Sequence, residues 1–155
     1  MYGAKYSRPK GGLAESLAHR IGANSEAFNH FDLVTLAGGF LEVVDGTSDR
    51  PVGICKKKVT MASDNQTVAK ITVPYTPLDI DSEFEMDFDA AAAESNVGQY
   101  FTVAGATGTQ VVTVGSASAT VGQVQLVKLD PRGEGSTLRG SFKVALASLS
   151  FTPAS

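Results

Sequence analysis

Asp79-Ile-Asp-Ser-Glu-Phe-Glu-Met-Asp-Phe-Asp89 places an acid at every second position, six in eleven residues, with Ile80, Phe84, Met86 and Phe88 between them. A repeat of two is the period of a β-strand, whose successive side chains point to opposite faces. The stretch therefore predicts a strand over Ile80–Phe88 with an apolar face and a carboxylate face. Side chains two apart on a strand lie ~7 Å from one another. Each neighbouring pair then repels by roughly 0.6 kcal/mol in water, and five pairs by about 3 kcal/mol. Screening at physiological salt reduces the sum to just over ~1 kcal/mol. The row needs no ligand to exist, but cross-strand Lys or Arg would help it noticeably.

Two kinds of chemistry compete with that reading. Calcium wants several oxygens wrapped around it, and the loop template fails: counted from Asp79, the glycine position is Phe84 and the closing glutamate position is Ala90. Paired carboxylates of a glycosidase sit about 5 to 9.5 Å apart, a spacing that Glu83 and Glu85 would satisfy on any strand. The third reading is an exposed charged edge that discourages sheet addition or meets a basic partner. Lys56, Lys57 and Lys58 are candidates for such a partner within the chain, or else a solvated edge.

Outward from the row, short β-type runs alternate with turn formers. Strands are expected over 31–44, 52–62, 66–73, 99–103, 109–114, 121–129 and 138–147, with Gly38-Gly39 splitting the first. Turns are expected at 45–48, 63–65, 74–77, 105–108, 115–116 and 130–133. In the last strand Leu138, Gly140, Phe142, Val144 and Leu146 share one face, and Arg139, Ser141 and Lys143 share the other. About eight strands at such spacing describe an all-β protein: a single small barrel or sandwich. A helical turn fits Asp89–Glu94, and no repeat at a solenoid period is present.

Residues 1–24 differ from the remainder. Gly3, Pro9, Gly11 and Gly12 favour an extended arm, and Leu13, Leu17 and Ile21 at four-residue spacing predict one short helix between Gly12 and Gly22. The division is thus an N-terminal arm, 1–24, and a β-rich domain, 25–155. Lys5, Arg8, Lys10 and Arg20 against Glu15 give the arm +3, while 79–89 carries −6 in a chain of net charge −3, so the body is neutral. The asymmetry says more than the total.

A chain of 155 residues suits one domain. A single cysteine, Cys55, excludes an intrachain disulfide and a thiolate cluster. No apolar run reaches the ~20 residues of a membrane helix, and the N-terminus lacks a signal-peptide core, so synthesis in a cytoplasm is expected. Asn65-Gln66-Thr67 matches the glycosylation triplet by chance on this reading. His19 and His30 have no ligand or base at a recognisable spacing, and the sequence holds no HExxH, GxSxG or phosphate loop. No catalytic residue, metal or cofactor is expected. A pI near 5.3 argues against a dedicated nucleic-acid binder.

The basic arm MYGAKYSRPKGG and the Gly-, Ala-, Thr- and Val-rich body GTQVVTVGSASATVGQVQLVKLDPRGEGSTLRGSFKVAL resemble the decoration, or cement, proteins of tailed-bacteriophage heads. The resemblance covers the whole chain in organisation and rests on no diagnostic motif. It implies a tulip-like β fold, homotrimers on the capsid exterior, and an arm laid over joints between major capsid proteins. The residues expected to touch capsid or protomer are Tyr2, Lys5, Tyr6, Arg8, Lys10, Leu13 and Leu17. A tail, neck or head-fibre component shares this composition. A small carbohydrate-binding or hydrolytic β protein is the alternative of another class, with Tyr75 or Tyr100 as its aromatic platform.

Overall fold

The computed structural model describes residues 3–8, 17–130 and 138–145. Its strands in chain order are β1 (Lys5–Arg8), β2 (Ala18–Ile21), β3 (Ala27–Phe28), β4 (Leu33–Ala37), β5 (Phe40–Val43), β6 (Gly53–Cys55) and β7 (Val59–Thr60). There follow β8 (Thr72–Pro77), β9 (Glu83–Asp87), β10 (Tyr100–Phe101), β11 (Val103–Ala104), β12 (Val111–Val112), β13 (Val124–Leu129) and β14 (Arg139–Val144). They form an all-β, antiparallel structure of two five-stranded sheets, in the orders β1-β9-β14-β13-β10 and β2-β8-β6-β4-β5, with ribbons β3-β7 and β11-β12.

Alternation along the strands builds the layers. Phe84 and Met86 of β9, Val124 and Leu126 of β13 and Phe142 and Val144 of β14 point inward, where they meet Leu33 and Ile54 of the second sheet. Phe88 packs edge-on to both Phe101 and Phe142, with centroids 5.6 and 5.3 Å apart. This geometry adds to simple area burial. The next residues along β4 and β6, Val34 and Cys55, point the other way and join Leu41, Val43, Val73 and Tyr75 in a second cluster with Phe28 and Met61. The centre of the second sheet, at β6 and the start of β4, is therefore buried on both faces and reads as continuous apolar runs such as Leu33-Val34. Gly53 is required there, because a Cβ would run into the Tyr75 ring.

This sheet curls without closing. Its edge strands β2 and β5 meet at a single parallel bridge, Gly22 to Leu41. Farther along β5, the Val43 N–H donates to the Glu26 carboxylate at 3.3 Å, a side chain standing in for a strand. Of the two architectures expected, barrel or sandwich, the packed pair of open sheets is the sandwich.

Several local expectations are corrected. Residues 18–21 lie in β2, paired with β8 from Ala18–Tyr75 to Ile21–Thr72, and not in the helix predicted over 12–22. A helix as short as the one predicted is marginal alone, and here the backbone gains a ladder instead. Residues 65–69 form one wide helical turn rather than the start of a strand, pinned by Asn65. The wholly buried Asn65 amide donates to the carbonyls of Gly22 (2.7 Å) and Ile71 (3.1 Å), so the triplet is no glycan acceptor in the folded chain. The predicted turn 74–77 is strand β8, whose prolines align with His19 and Gly53. The Gly38-Gly39 split is a two-residue hairpin with φ of 57° and 90°, the conformation that glycine pairs supply.

Candidate interaction surface

The acidic row divides into three structural roles. Asp79 and Asp81 precede the strand in a turn where Asp79 Oδ1 accepts from the Asp81 N–H (2.9 Å) and the Ser82 hydroxyl (3.1 Å). Asp89 follows the strand and accepts the Val114 N–H at 2.9 Å. Only Glu83, Glu85 and Asp87 form the carboxylate face of β9.

That face is not an edge, contrary to expectation. β9 lies between β1 and β14, and both neighbours carry cations in register. Lys5 stands opposite Glu85 and Arg8 opposite Glu83, with a bulge between Tyr6 and Arg8. On the other side Arg139 stands opposite Asp87, its Nε donating to Asp87 Oδ1 at 2.7 Å, and Ser141 stands opposite Glu85. Burial pushes the Asp87 pKa up, but hydrogen bonding and positive charge, with the Arg139 hydrogen bond foremost, outweigh it, and the carboxyl lies below its ordinary value. The basic N-terminus and the acidic row are thus the two sides of one antiparallel pair. Lys56–Lys58 link β6 of the second sheet to β7 and are not part of the strands that flank the row.

Ahead of β1 the chain is fastened to the body. The Gly3 N–H donates to the Gln110 carbonyl (3.1 Å) and the Ala4 N–H to the Phe31 carbonyl (2.6 Å). Ala4 is wholly buried in the inter-sheet core. Gly3 has φ +83°, and a Cβ there would strike the Phe31 carbonyl oxygen. Phe31 itself takes φ 75°, uncommon for a bulky residue, and stacks on His30 at 3.8 Å. Gln110, buried completely, fixes this corner by accepting the Leu33 N–H (2.6 Å) and donating to the carbonyls of Leu33 (3.1 Å) and Val44 (2.8 Å).

Of the contact residues expected from sequence, the structure brings Lys5, Tyr6 and Arg8 together on β1. Leu17 precedes β2 in the other sheet and is 57% exposed. Tyr2, Lys10 and Leu13 lie outside the described residues. The socket formed by Phe31 and Gln110 was not foreseen. Only Gly3 hinted at a close approach, and no sequence pattern marks a glutamine that will be buried.

Among the described residues, two cavities are of ligand size. One of ≈ 320 Å³ lies between Thr47–Asp49 and Val121–Gln123. Its polar groups are largely used by the fold: Asp49 Oδ2 accepts the Gly46 N–H at 2.8 Å, and Gln123 donates to the carbonyls of Gly46 (2.7 Å) and Asp49 (2.8 Å). The other, ≈ 260 Å³, lies between β2 and β5, against His19, Arg20 and Phe40. Neither is lined by Glu83 or Glu85, and Tyr75, one proposed aromatic platform, is core. Among the described residues no group of three or more His, Cys, Asp or Glu could hold a metal ion, and no helix is long and apolar enough to cross a membrane. Compared with known proteins, the sequence matches no family model and no curated protein.

Proposed function

We propose that this chain is a structural virion protein that binds the outer surface of a phage capsid and stabilises joints between major capsid proteins, as a homotrimer. The observation that supports it best is the placing of the basic N-terminal segment as the terminal strand of a sheet. One backbone side of β1 pairs with β9, which leaves β1 at the end of the sheet's strand order, and Pro9, Lys10 and Leu13 follow it in sequence. A terminal strand with adjoining cationic and apolar residues suits joining protein surfaces by main-chain and side-chain contacts. Interfaces of this kind bury about 1,600 Å² in total, and repetition around a shell turns a modest affinity into avidity.

Because Ala4 and β2 belong to the folded body, substitution is the right test of the 1–24 segment. Purified protein is expected to sediment with phage heads that lack it, up to a saturating ratio. Lys10→Ala/Leu13→Ala/Leu17→Ala should weaken that binding while leaving the melting temperature unchanged, and higher salt should weaken it further. Undiminished binding by the triple variant removes the segment from the mechanism, and failure of the parent chain to sediment removes the capsid.

A further inference from the structure

We infer that Gly3–Arg8 is an exchangeable strand: the β9 edge that accepts it within the chain also accepts the same segment of a second copy, so that copies are joined through swapped β1 strands. This goes beyond the virion reading, since it concerns copies of the chain alone and requires no capsid.

The β9 edge is unsuited to being left bare. Glu83 is only 9% exposed and belongs to a row with Glu85 and Asp87, and withdrawal of β1 would remove the cations standing opposite two of them. It would also vacate the core position of Ala4 and leave Phe31 in a left-handed conformation without the Ala4 N–H its carbonyl accepts. An occupant is needed, and its identity is fixed by backbone register, a small residue for the core, a glycine before it, and cations opposite Glu85 and Glu83. Gly3-Ala4-Lys5-Tyr6-Ser7-Arg8 meets each requirement whether it comes from the same chain or another.

Covalent geometry permits the exchange. Residues 9–17 separate β1 from β2, the next described strand, which lies in the other sheet. Nine residues can span roughly 30 Å when extended, enough to carry β1 to an adjoining copy. Because the contacts made in cis and in trans are the same, exchange costs little beyond association itself. High local concentration of copies then favours the joined form.

The test uses register. Lys5→Cys chains and Glu85→Cys chains are unfolded together, refolded and oxidised, and the products are weighed under denaturing, non-reducing conditions. Strand exchange predicts a covalent heterodimer of one chain of each kind, and covalent oligomers from the double variant Lys5→Cys/Glu85→Cys. Cys55 is buried, and the parent chain controls for it. Monomers alone, closed or open, in both samples overturn the inference.

Should the cysteine variants fold poorly, Lys5→Glu and Glu85→Lys chains give a second reading. Each places like charges opposite one another in its own fold, whereas a mixed pair with exchanged strands restores both attractions. Mixing should raise the melting temperature above that of either variant and yield a mixed species by native mass. Two unchanged melting curves count against exchange. Neither experiment involves phage heads, so failure here leaves the capsid proposal standing.

Discussion

At the seam between the sheets Gln110 is wholly buried and spends its amide on one backbone N–H and two carbonyls, while on the outer face of the first sheet Arg139 meets Asp87 with 34% of its side chain still in water. Both arrangements hold strands in register with polar side chains. The seam uses neutral amides: Gln123 repeats the pattern, accepting the Val103 N–H at 2.8 Å while donating to the carbonyls of Gly46 and Asp49. An amide carries two donors and an acceptor without charge, so it can close off backbone groups in the interior at no ionic desolvation cost. The outer face can use charge because water still solvates it, and for the same reason each pair there contributes little. The contrast teaches that the conspicuous acidic row specifies pairing, whereas two inconspicuous glutamines carry more of the stability.

Gln110→Leu should break the molecule most. It leaves the Leu33 N–H and the Val44 carbonyl without their partner, while the Leu33 carbonyl keeps the Val44 N–H at 3.0 Å, and with ~1 to 3 kcal/mol for each of the two unsatisfied buried groups the expected loss is about 2 to 6 kcal/mol. Urea denaturation measures it, and a loss under ~1 kcal/mol would reverse the comparison. Gln123→Leu should follow at about 2 to 3 kcal/mol, because the carbonyls it releases sit on a partly exposed loop that water can reach.

How much of this contrast could be read from the sequence follows from the periods that side chains impose. The acidic row and the last strand alternate strictly, and Phe84, Met86, Phe142 and Val144 all fall on the core face as expected. Gly38-Gly39 announced its hairpin because few other pairs adopt two positive φ values. Other features were hidden by competing rules. Pro74 and Pro77 read as breakers, yet prolines fit a strand wherever the ladder does not ask for their N–H. Leu13, Leu17 and Ile21 mimic a helical face, but β2 won through its partner β8, which no local window contains. The cations of 1–24 were legible and their destination was not, since pairing β1 with β9 joins segments some eighty residues apart.

Acid titration sharpens the comparison by sign. Asp32 is completely buried and is held by the N–H groups of Gly108 and Asn29, both at 2.8 Å. Burial raises its pKa more than those two bonds lower it. The native state therefore binds this proton more readily than the unfolded chain. The resulting stability is fully present below the ordinary aspartate pKa and is lost as pH rises through the raised folded value. The stability gap between wild type and Asp32→Asn should widen as pH falls from 7 toward about 4. Asp87 has the opposite sign: its folded pKa is lowered, so its contribution is present above the ordinary value and disappears as pH falls through the folded one. The gap between wild type and Asp87→Asn should narrow in strong acid. Parallel trends for the two variants would break the distinction between buried and outer carboxylates.

The smallest effect is expected for Arg139→Ala. An ion pair with this exposure contributes about 0.2 to 1 kcal/mol, and the screened repulsion within the acidic row is itself only ~1 kcal/mol. A double-mutant cycle with Asp87→Asn in urea should give a coupling within that range, shrinking as salt is added. A salt-insensitive coupling well above ~1 kcal/mol would mean that the pair controls more than its own contact. The natural route would be through β9 to its other neighbour, since Asp87 and Glu85 lie on one strand and Glu85 is in register with Lys5 of β1. Loss of Arg139 would then loosen β1 as well, and amide exchange in residues 3–8 would report it directly. Exchange there that stays at the wild-type rate, with a small coupling, places the pair among ordinary surface contacts and leaves the hold on β1 to Ala4, Phe31 and the ladder.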